Sequence, residues 1–149
     1  MLSRYERFST AISAIYHSIQ KIERDEMVKS GGKGAFAQYL VALSRYPEGL
    51  TAAQLGELCD RDKAAVSRAV AEMEDRGLIV RESGKARIYK VALRLTEAGR
   101  SAAQFVCERA EAAVESGGQG LAEEERAVLY AALDRIAANL EIISKEGIP

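Results

Sequence analysis

The segment TAAQLGELCDRDKAAVSRAVAEMEDRGLI, from Thr51 to Ile79, decides the fold. Thr51 is followed three residues later by a glutamine, the spacing of a capping box that begins a helix. The polar turn Asp60-Arg61-Asp62 comes next, and either aspartate can cap a second helix that starts at Lys63. Gly77 stands just past the end of that helix, where a left-handed glycine is favoured. The segment therefore predicts two short helices, Ala52 to Cys59 and Lys63 to Arg76, joined by a tight turn.

The second of these helices has an apolar face and a small, basic face. Val66, Val70 and Met73 recur at helical spacing and seat the helix on a core. The remaining side chains of its first turns are short or basic: Lys63, Ala64, Ala65, Ser67 and Arg68. In a helix-turn-helix, the start of the second helix meets base edges in the major groove. Arginine suits guanine or phosphate, serine suits either, and alanine can touch a thymine methyl. The pattern therefore indicates a DNA-binding helix.

A basic hairpin is predicted after this helix. Strands are expected at Leu78–Arg81 and Ile88–Leu93, with a turn at Ser83–Ala86. Lys85 and Arg87 lie at its tip and Lys90 lies nearby, a placement that would let them reach the adjacent minor groove or its phosphates.

Helices with long apolar stripes flank this centre. Helices are predicted at Arg4–Glu26, Ala35–Tyr46, Glu97–Ser116 and Ala122–Ser144, with glycine-rich breaks at residues 31–34 and 117–120. The stripes on the first and last helices have spacing 4, 3, 4, 3: Phe8, Ile12, Ile15, Ile19 and Ile22, then Leu129, Leu133, Ile136, Leu140 and Ile143. This exceeds what one small core needs, so a homodimer packed through these helices is the economical interpretation. The alternative is a monomer in which both stripes face inward.

Charge and composition limit the function classes. The formal net charge is −1. The segment from Cys59 to Arg100, however, contains ten Lys and Arg and seven Asp and Glu, which gives it a local net charge of +3. A local basic field is what a phosphate backbone requires. One histidine, two cysteines and no metal-ligand spacing argue against an enzyme and predict neither a metal nor a cofactor. The cysteine usage and the absence of a signal-peptide pattern or an apolar run of membrane length predict a cytoplasmic protein.

The central motifs resemble the MarR family of winged-helix regulators. They comprise Pro47-Glu48-Gly49-Leu50-Thr51, Gln54-Leu55-Gly56-Glu57-Leu58, Asp62 to Arg68, Glu74 to Ile79, and Leu95-Thr96-Glu97-Ala98-Gly99. The resemblance implies a mainly α fold of about six helices with one β-hairpin wing. It implies a lobe at 35–96 that binds DNA and a helical dimerisation region at 1–34 and 97–149. It further implies an obligate dimer that binds a pseudo-palindromic operator, typically as a repressor, and that a small ligand can release.

One departure from the family pattern concerns the wing. Many members carry an Asp-Arg-Arg run whose acid orients an arginine toward the minor groove, whereas this chain has Arg87-Ile88-Tyr89. We hypothesise that Glu82 faces Arg87 across the turn and orients it toward the minor groove in the same way. The expected DNA-contacting residues are Thr51, Lys63, Ala64, Ala65, Ser67, Arg68, Lys85, Arg87 and Lys90. The altered wing and the overall acidity leave open a second function, a winged-helix protein–protein interaction module that no longer binds DNA.

A small aromatic or lipophilic effector is the other expected partner. Tyr16 and His17 on the first helix and Tyr39 on the second are the predicted pocket residues, although aromatics at helical spacing usually belong to a core and a lone histidine usually lies at a surface or interface. Cys59 follows the first helix of the helix-turn-helix, where oxidation could perturb the turn, and Cys107 resembles core filler.

Overall fold

The structure, a computed structural model, describes residues 1–82 and 91–149. Over these residues the chain forms six α-helices and a two-stranded antiparallel sheet, in two compact units, Met1–Ala113 and Val114–Pro149. In chain order the elements are α1 (Arg4–Lys29), α2 (Ala37–Ser44), α3 (Ala52–Leu58), α4 (Lys63–Asp75), β1 (Ile79–Arg81), β2 (Leu93–Leu95), α5 (Glu97–Gly117) and α6 (Glu123–Glu146). The predicted fold class, mainly α with one hairpin, is confirmed.

Helix α1 begins with a capping box and ends later than predicted. The Glu6 amide donates to Ser3 Oγ at 3.0 Å, and the Ser3 amide donates to Glu6 Oε2 at 2.7 Å. The helix continues past Glu26 because Met27 still has a core to enter and is 1% exposed. The chain then turns at Gly31, whose φ is +92°.

The segment predicted as one helix over Ala35–Tyr46 divides into two elements. A short 3-10 turn spans Gly34–Phe36, and α2 follows to Ser44. Six of the eight residues of α2 are buried, which makes α2 the centre of the core. The core residues around it come from every element of this unit, and the largest that are fully enclosed are Met27, Phe36, Leu40, Leu55, Met73, Ile79 and Leu93.

The second strand corrects the sequence prediction. It was expected over Ile88–Leu93 but lies at Leu93–Leu95, and residues 88–90 of the predicted strand, with the turn at 83–86, lie outside the described residues. Ile79 pairs with Leu95 and Arg81 pairs with Leu93. Leu93 also exchanges backbone hydrogen bonds with Leu50, of 3.1 and 2.7 Å, and this long-range pairing selects the later strand position.

The junction between the sheet and α5 explains the motif Leu95-Thr96-Glu97-Ala98-Gly99. Thr96 Oγ1 accepts from the Gly99 amide at 3.1 Å and donates to the Gly77 carbonyl at 2.6 Å, so it caps α5 and ties the helix to the end of α4. A Cβ at Gly99 would lie 2.0 Å from the Leu78 carbonyl oxygen, so only glycine fits there. Gly77 has a φ of +71°, as its predicted position after α4 requires.

Helix α6 closely follows its predicted bounds but has no buried residue. Its apolar residues Val128, Leu129, Leu140 and Ile142 are 41–70% exposed.

Candidate nucleic-acid interface

Helix α3 begins at the capping box that the sequence predicts. The Gln54 amide donates to Thr51 Oγ1 at 3.2 Å, and the Thr51 amide donates to Gln54 Oε1 at 2.9 Å. Both hydrogen-bonding halves of the box use residues at the start of the helix, so α3 has a defined first turn.

A tight turn joins α3 to α4. Asp60 has a φ of +50°, the left-handed region that aspartate tolerates, and the Arg61 amide then donates to the Gly56 carbonyl at 2.9 Å. A Cβ at Gly56 would lie 3.1 Å from both the Arg61 carbonyl oxygen and Val66 Cγ2. The close approach of α3 to this turn therefore fixes the direction in which α4 leaves it.

Asp62, rather than Asp60, caps α4. Its Oδ1 accepts from the Ala65 amide at 2.7 Å. Behind this cap, Val66, Val70 and Met73 are at most 2% exposed, which confirms the predicted seating face. Helix α4 is thus held on one side by the core and at its start by a charged cap.

The opposite face of α4 is open. The side chains predicted to meet DNA from this helix are placed as follows: Lys63, Ala64, Ser67 and Arg68 are exposed, and Ala65 is half-buried. Thr51 is also half-buried, with its hydroxyl occupied by the cap of α3. The other three predicted contacts, Lys85, Arg87 and Lys90, lie outside the described residues.

Charge is balanced unevenly along this surface. Toward the end of α4, Glu72 pairs with Lys33 and with Arg76, while Glu74 pairs with Arg81 at 2.9 Å. Among the described residues, no ion pair engages Arg61, Lys63 or Arg68, all at the start of the helix. The unpaired positive charge therefore concentrates where α4 is exposed and small.

Arg61 is the cation of this group that sequence analysis missed. It was treated as part of a polar turn, although a basic residue directly before a DNA-binding helix is itself a signal for a phosphate contact. Its charge acts on the buried Tyr39, whose phenol has a pKa raised by burial against the opposing field of Arg61.

At the base of the hairpin, Glu82 forms an ion pair with Arg94. Its carboxylate lies 3.1 Å from Arg94 Nη2, and Arg94 Nε donates to the Glu48 carbonyl at 3.1 Å. Arg87, the hypothesised partner, lies outside the described residues. The Glu82–Arg94 pair fastens the hairpin to the loop before α3.

The three predicted pocket residues occupy different surroundings. Tyr39 is 3% exposed within the core, whereas Tyr16 is 53% exposed on α1. Tyr16 Oη accepts from Gln20 Nε2 at 2.9 Å, and the His17 ring lies 6.2 Å from the Tyr16 ring, centroid to centroid. An open cavity of about 320 Å³ lies elsewhere in this unit, lined by Leu43, Ser44, Tyr46, Pro47, Leu95, Arg100, Gln104 and Cys107. None of the predicted pocket residues lines it.

Both cysteines are free and half-buried. Burial raises the pKa of the Cys59 thiol, against the opposing fields of Arg61 and Arg45. Cys59 Sγ lies 3.7 Å from the Gln38 carbonyl oxygen and packs against the core. A thiol with a raised pKa is a poor nucleophile at neutral pH, which disfavours Cys59 as a redox sensor.

The described residues show neither a metal-binding cluster nor a helix suited to a membrane. They contain no cluster of three or more His, Cys, Asp or Glu side chains arranged to hold a metal ion. None of their helices combines the length and the apolar character of a bilayer span.

Together, the capped α4, its open basic face and the hairpin behind it define a winged helix-turn-helix domain. The MarR family model matches residues 34–87, the stretch that contains the helix-turn-helix. The resemblance that the motifs indicate is therefore confirmed over these residues. No curated protein matches the chain.

Solved structures extend the likeness to nearly the whole chain. A MarR family transcriptional regulator from Silicibacter pomeroyi is 26% identical, with a TM-score of 0.71 over 87% of this chain and 86% of that one. A MarR transcriptional regulator from Methanosarcina mazei Go1 is 22% identical, with a TM-score of 0.78 over 95% and 94%.

A third structure, described as a MarR family transcriptional regulator from Listeria monocytogenes, was solved with a 26mer DNA. It is 24% identical, with a TM-score of 0.74 over 100% of this chain and 98% of that one. The chain therefore has the fold of a MarR-family transcriptional regulator. The matched proteins are regulators, which agrees with the expectation that the chain is not an enzyme.

Proposed function

We propose that this chain is a homodimeric repressor that binds a pseudo-palindromic operator in duplex DNA through α4. The observation that carries the proposal is the start of α4, where small side chains and unpaired cations are exposed on a helix whose opposite face is anchored in the core. The DNA complex of the Listeria monocytogenes protein, which has the same fold, supports it.

In this proposal, different residues make different contacts with the DNA. Lys63, Ser67 and Arg68 contact base edges in the major groove, and Ala64 and Ala65 allow the close approach this requires. Thr51 contacts the phosphate backbone from the start of α3. Lys85, Arg87 and Lys90 contact the minor groove or its phosphates from the wing.

The dimer is supported by the exposed apolar faces of the terminal helices. Phe8, Ile12 and Ile15 on α1 are 39–56% exposed, and Leu129 and Leu140 on α6 are 41–50% exposed. Exposed apolar helix faces of this kind are typical of interaction sites. We assign 1–34 and 97–149 to dimerisation and 35–96 to DNA binding. Two copies of α4 about 34 Å apart would meet half-sites about 10 base pairs apart.

Electrophoretic mobility shift with the DNA flanking the chain's own gene tests the proposal. We expect a specific shift that Arg68→Ala weakens and makes less selective at one base pair of each half-site. A matched variant, Arg45→Ala, removes an exposed arginine that lies beyond the end of α2 and should leave selectivity unchanged. The absence of any specific shift at low salt would overturn the proposal.

The rival function is a winged-helix module that binds proteins and has lost DNA. The altered wing sequence is the observation that favours it. The two functions differ in salt dependence, because phosphate contacts release counterions and produce a steep negative slope of log K against log salt. Lys63 and Arg68 are exposed and form no ion pair with any other described residue, which favours DNA, since a protein-binding module has no need of them.

A small-molecule effector completes the proposal. Tyr16, His17 and Tyr39 are its proposed pocket residues, and the cavity beside Tyr46 and Arg100 provides a second place where a small aromatic or lipophilic compound would fit. Release of bound DNA by members of an aromatic and lipophilic compound panel tests this component. Loss of release in Tyr16→Ala supports the first site, and loss in Tyr46→Ala supports the second.

A further inference from the structure

In the turn before α4, the backbone of Arg61 is held by a hydrogen bond, whereas its charged side chain is open to solvent. The Arg61 amide is bonded to Gly56, and the space beside Gly56 is closed by the Arg61 carbonyl and by Val66. The Arg61 side chain, in contrast, is exposed. The planar guanidinium of arginine is pre-organised, so little conformational freedom is lost for each hydrogen bond that it forms with a partner.

Several cations around this lobe already have a carboxylate. Lys33 and Arg76 share Glu72, Arg81 has Glu74, and Arg94 has Glu82. Arg61 lies between two aspartates in the sequence, but the Asp62 carboxylate caps α4 and no ion pair joins either aspartate to Arg61 among the described residues. The charge of Arg61 therefore remains available to an external anion.

We propose that Arg61 is a positioning residue that contacts a DNA phosphate and holds the start of α4 at the major groove. The inference rests on the proposed DNA-binding function and adds a contact to it. Because Arg61 belongs to the turn and precedes the helix, it meets the sugar–phosphate backbone beside the groove. Phosphate contacts fix the orientation of a protein on the duplex and carry no base information.

Fluorescence anisotropy at several salt concentrations tests this contact, with the operator duplex and a scrambled duplex of equal length. We expect Arg61→Ala to lower the affinity for both duplexes by the same factor. We also expect it to reduce the slope of log K against log salt by about 0.9 for each bound subunit. Arg61→Lys, which keeps the charge, should retain most of the slope.

Arg45→Ala is the matched control. Arg45 and Arg61 are both exposed and both lie close enough to Cys59 to oppose the rise in the pKa of its thiol. The charge of Arg45 also acts on the half-buried Glu23, whose pKa is raised by burial against that field. Because Arg45 follows α2 and lies outside the helix-turn-helix, we expect Arg45→Ala to leave the slope unchanged.

Two results would overturn the inference while leaving the proposed function intact. One is a wild-type protein that binds the operator while Arg61→Ala keeps the full slope, and the other is an equal loss of slope in Arg45→Ala. A wild-type protein that binds no duplex at low salt would instead overturn the proposed function. Thermal unfolding of each variant checks that exposed substitutions leave the fold unchanged.

Discussion

Removal of the Asp62 cap tests whether local chemistry sets the start of α4. The Asp62 carboxylate accepts the Ala65 amide at 2.7 Å, and Asp62→Ala leaves that amide without a protein partner. Loss of an N-cap costs about 0.5–2 kcal/mol. Because the pair is solvent-exposed, water replaces part of the bond, so we expect about 1 kcal/mol.

The matched variant is Asp62→Ser, which removes the charge but keeps an oxygen that can accept the same bond. Serine and aspartate are nearly equivalent N-caps, so the stability of this variant should stay within about 0.3 kcal/mol of the wild type. Urea unfolding at one fixed protein concentration measures both, since dimerisation would make stability depend on concentration.

In thermal scans, Asp62→Ala should lower Tm by about 2–4 °C, the shift that 1 kcal/mol produces in a chain of this size. An unchanged Tm in Asp62→Ala would refute the reasoning. Equal losses in the alanine and serine variants would also refute it, because the charge and not the hydrogen bond would then be responsible.

Three further predictions concern other parts of the first unit. Gly99→Ala should destabilise the protein by at least about 1–3 kcal/mol in urea unfolding, since its Cβ would lie 2.0 Å from the backbone oxygen of Leu78; wild-type stability would contradict this. Hydrogen bonds, first from Lys29, lower the pKa of Glu26 below 4.5, so stability is lost as pH falls through the lowered pKa. Glu26→Gln should make the loss of stability at acid pH less steep. An unchanged dependence of stability on acid pH would contradict the role given to Glu26. In a Cys107→Ser background, Cys59 should react with iodoacetamide more slowly than a free thiol at neutral pH, because its pKa is raised; an equal rate would exclude the raised pKa.

The sequence predicted best those features that local hydrogen bonds determine. The Thr51 box, the Asp62 cap and the glycine at position 77 each depend on residues within one turn of a helix end, and all three are present. The seating face of α4 was also predictable, because an apolar stripe at helical spacing must face a core.

Features that depend on distant partners were not predictable in the same way. The second strand lies at Leu93–Leu95 because Leu93 bonds to Leu50, some forty residues away along the chain, a pairing that no local pattern encodes. Glu82 likewise pairs with Arg94 across the base of the hairpin.

The sequence also could not show which cations at the interface have ion-pair partners, because the partners come from distant parts of the chain. Counts of basic and acidic residues indicated a net positive centre, but only the ion pairs show which cations remain unengaged. Among the described residues, Arg81 and Arg94 are paired, whereas Arg61, Lys63 and Arg68 are not. Arg61 thereby becomes part of the candidate interface, although its sequence context suggested only a turn.

The salt dependence of operator binding tests the central claim most directly. A duplex taken from the DNA flanking the chain's own gene would be titrated with wild-type protein and with Arg68→Ala over a range of salt concentrations. We expect the wild type to form a specific complex whose log K falls steeply with log salt, and Arg68→Ala to bind less tightly and to discriminate less against a scrambled duplex. Equal affinity for both duplexes, or no binding at low salt, would contradict it.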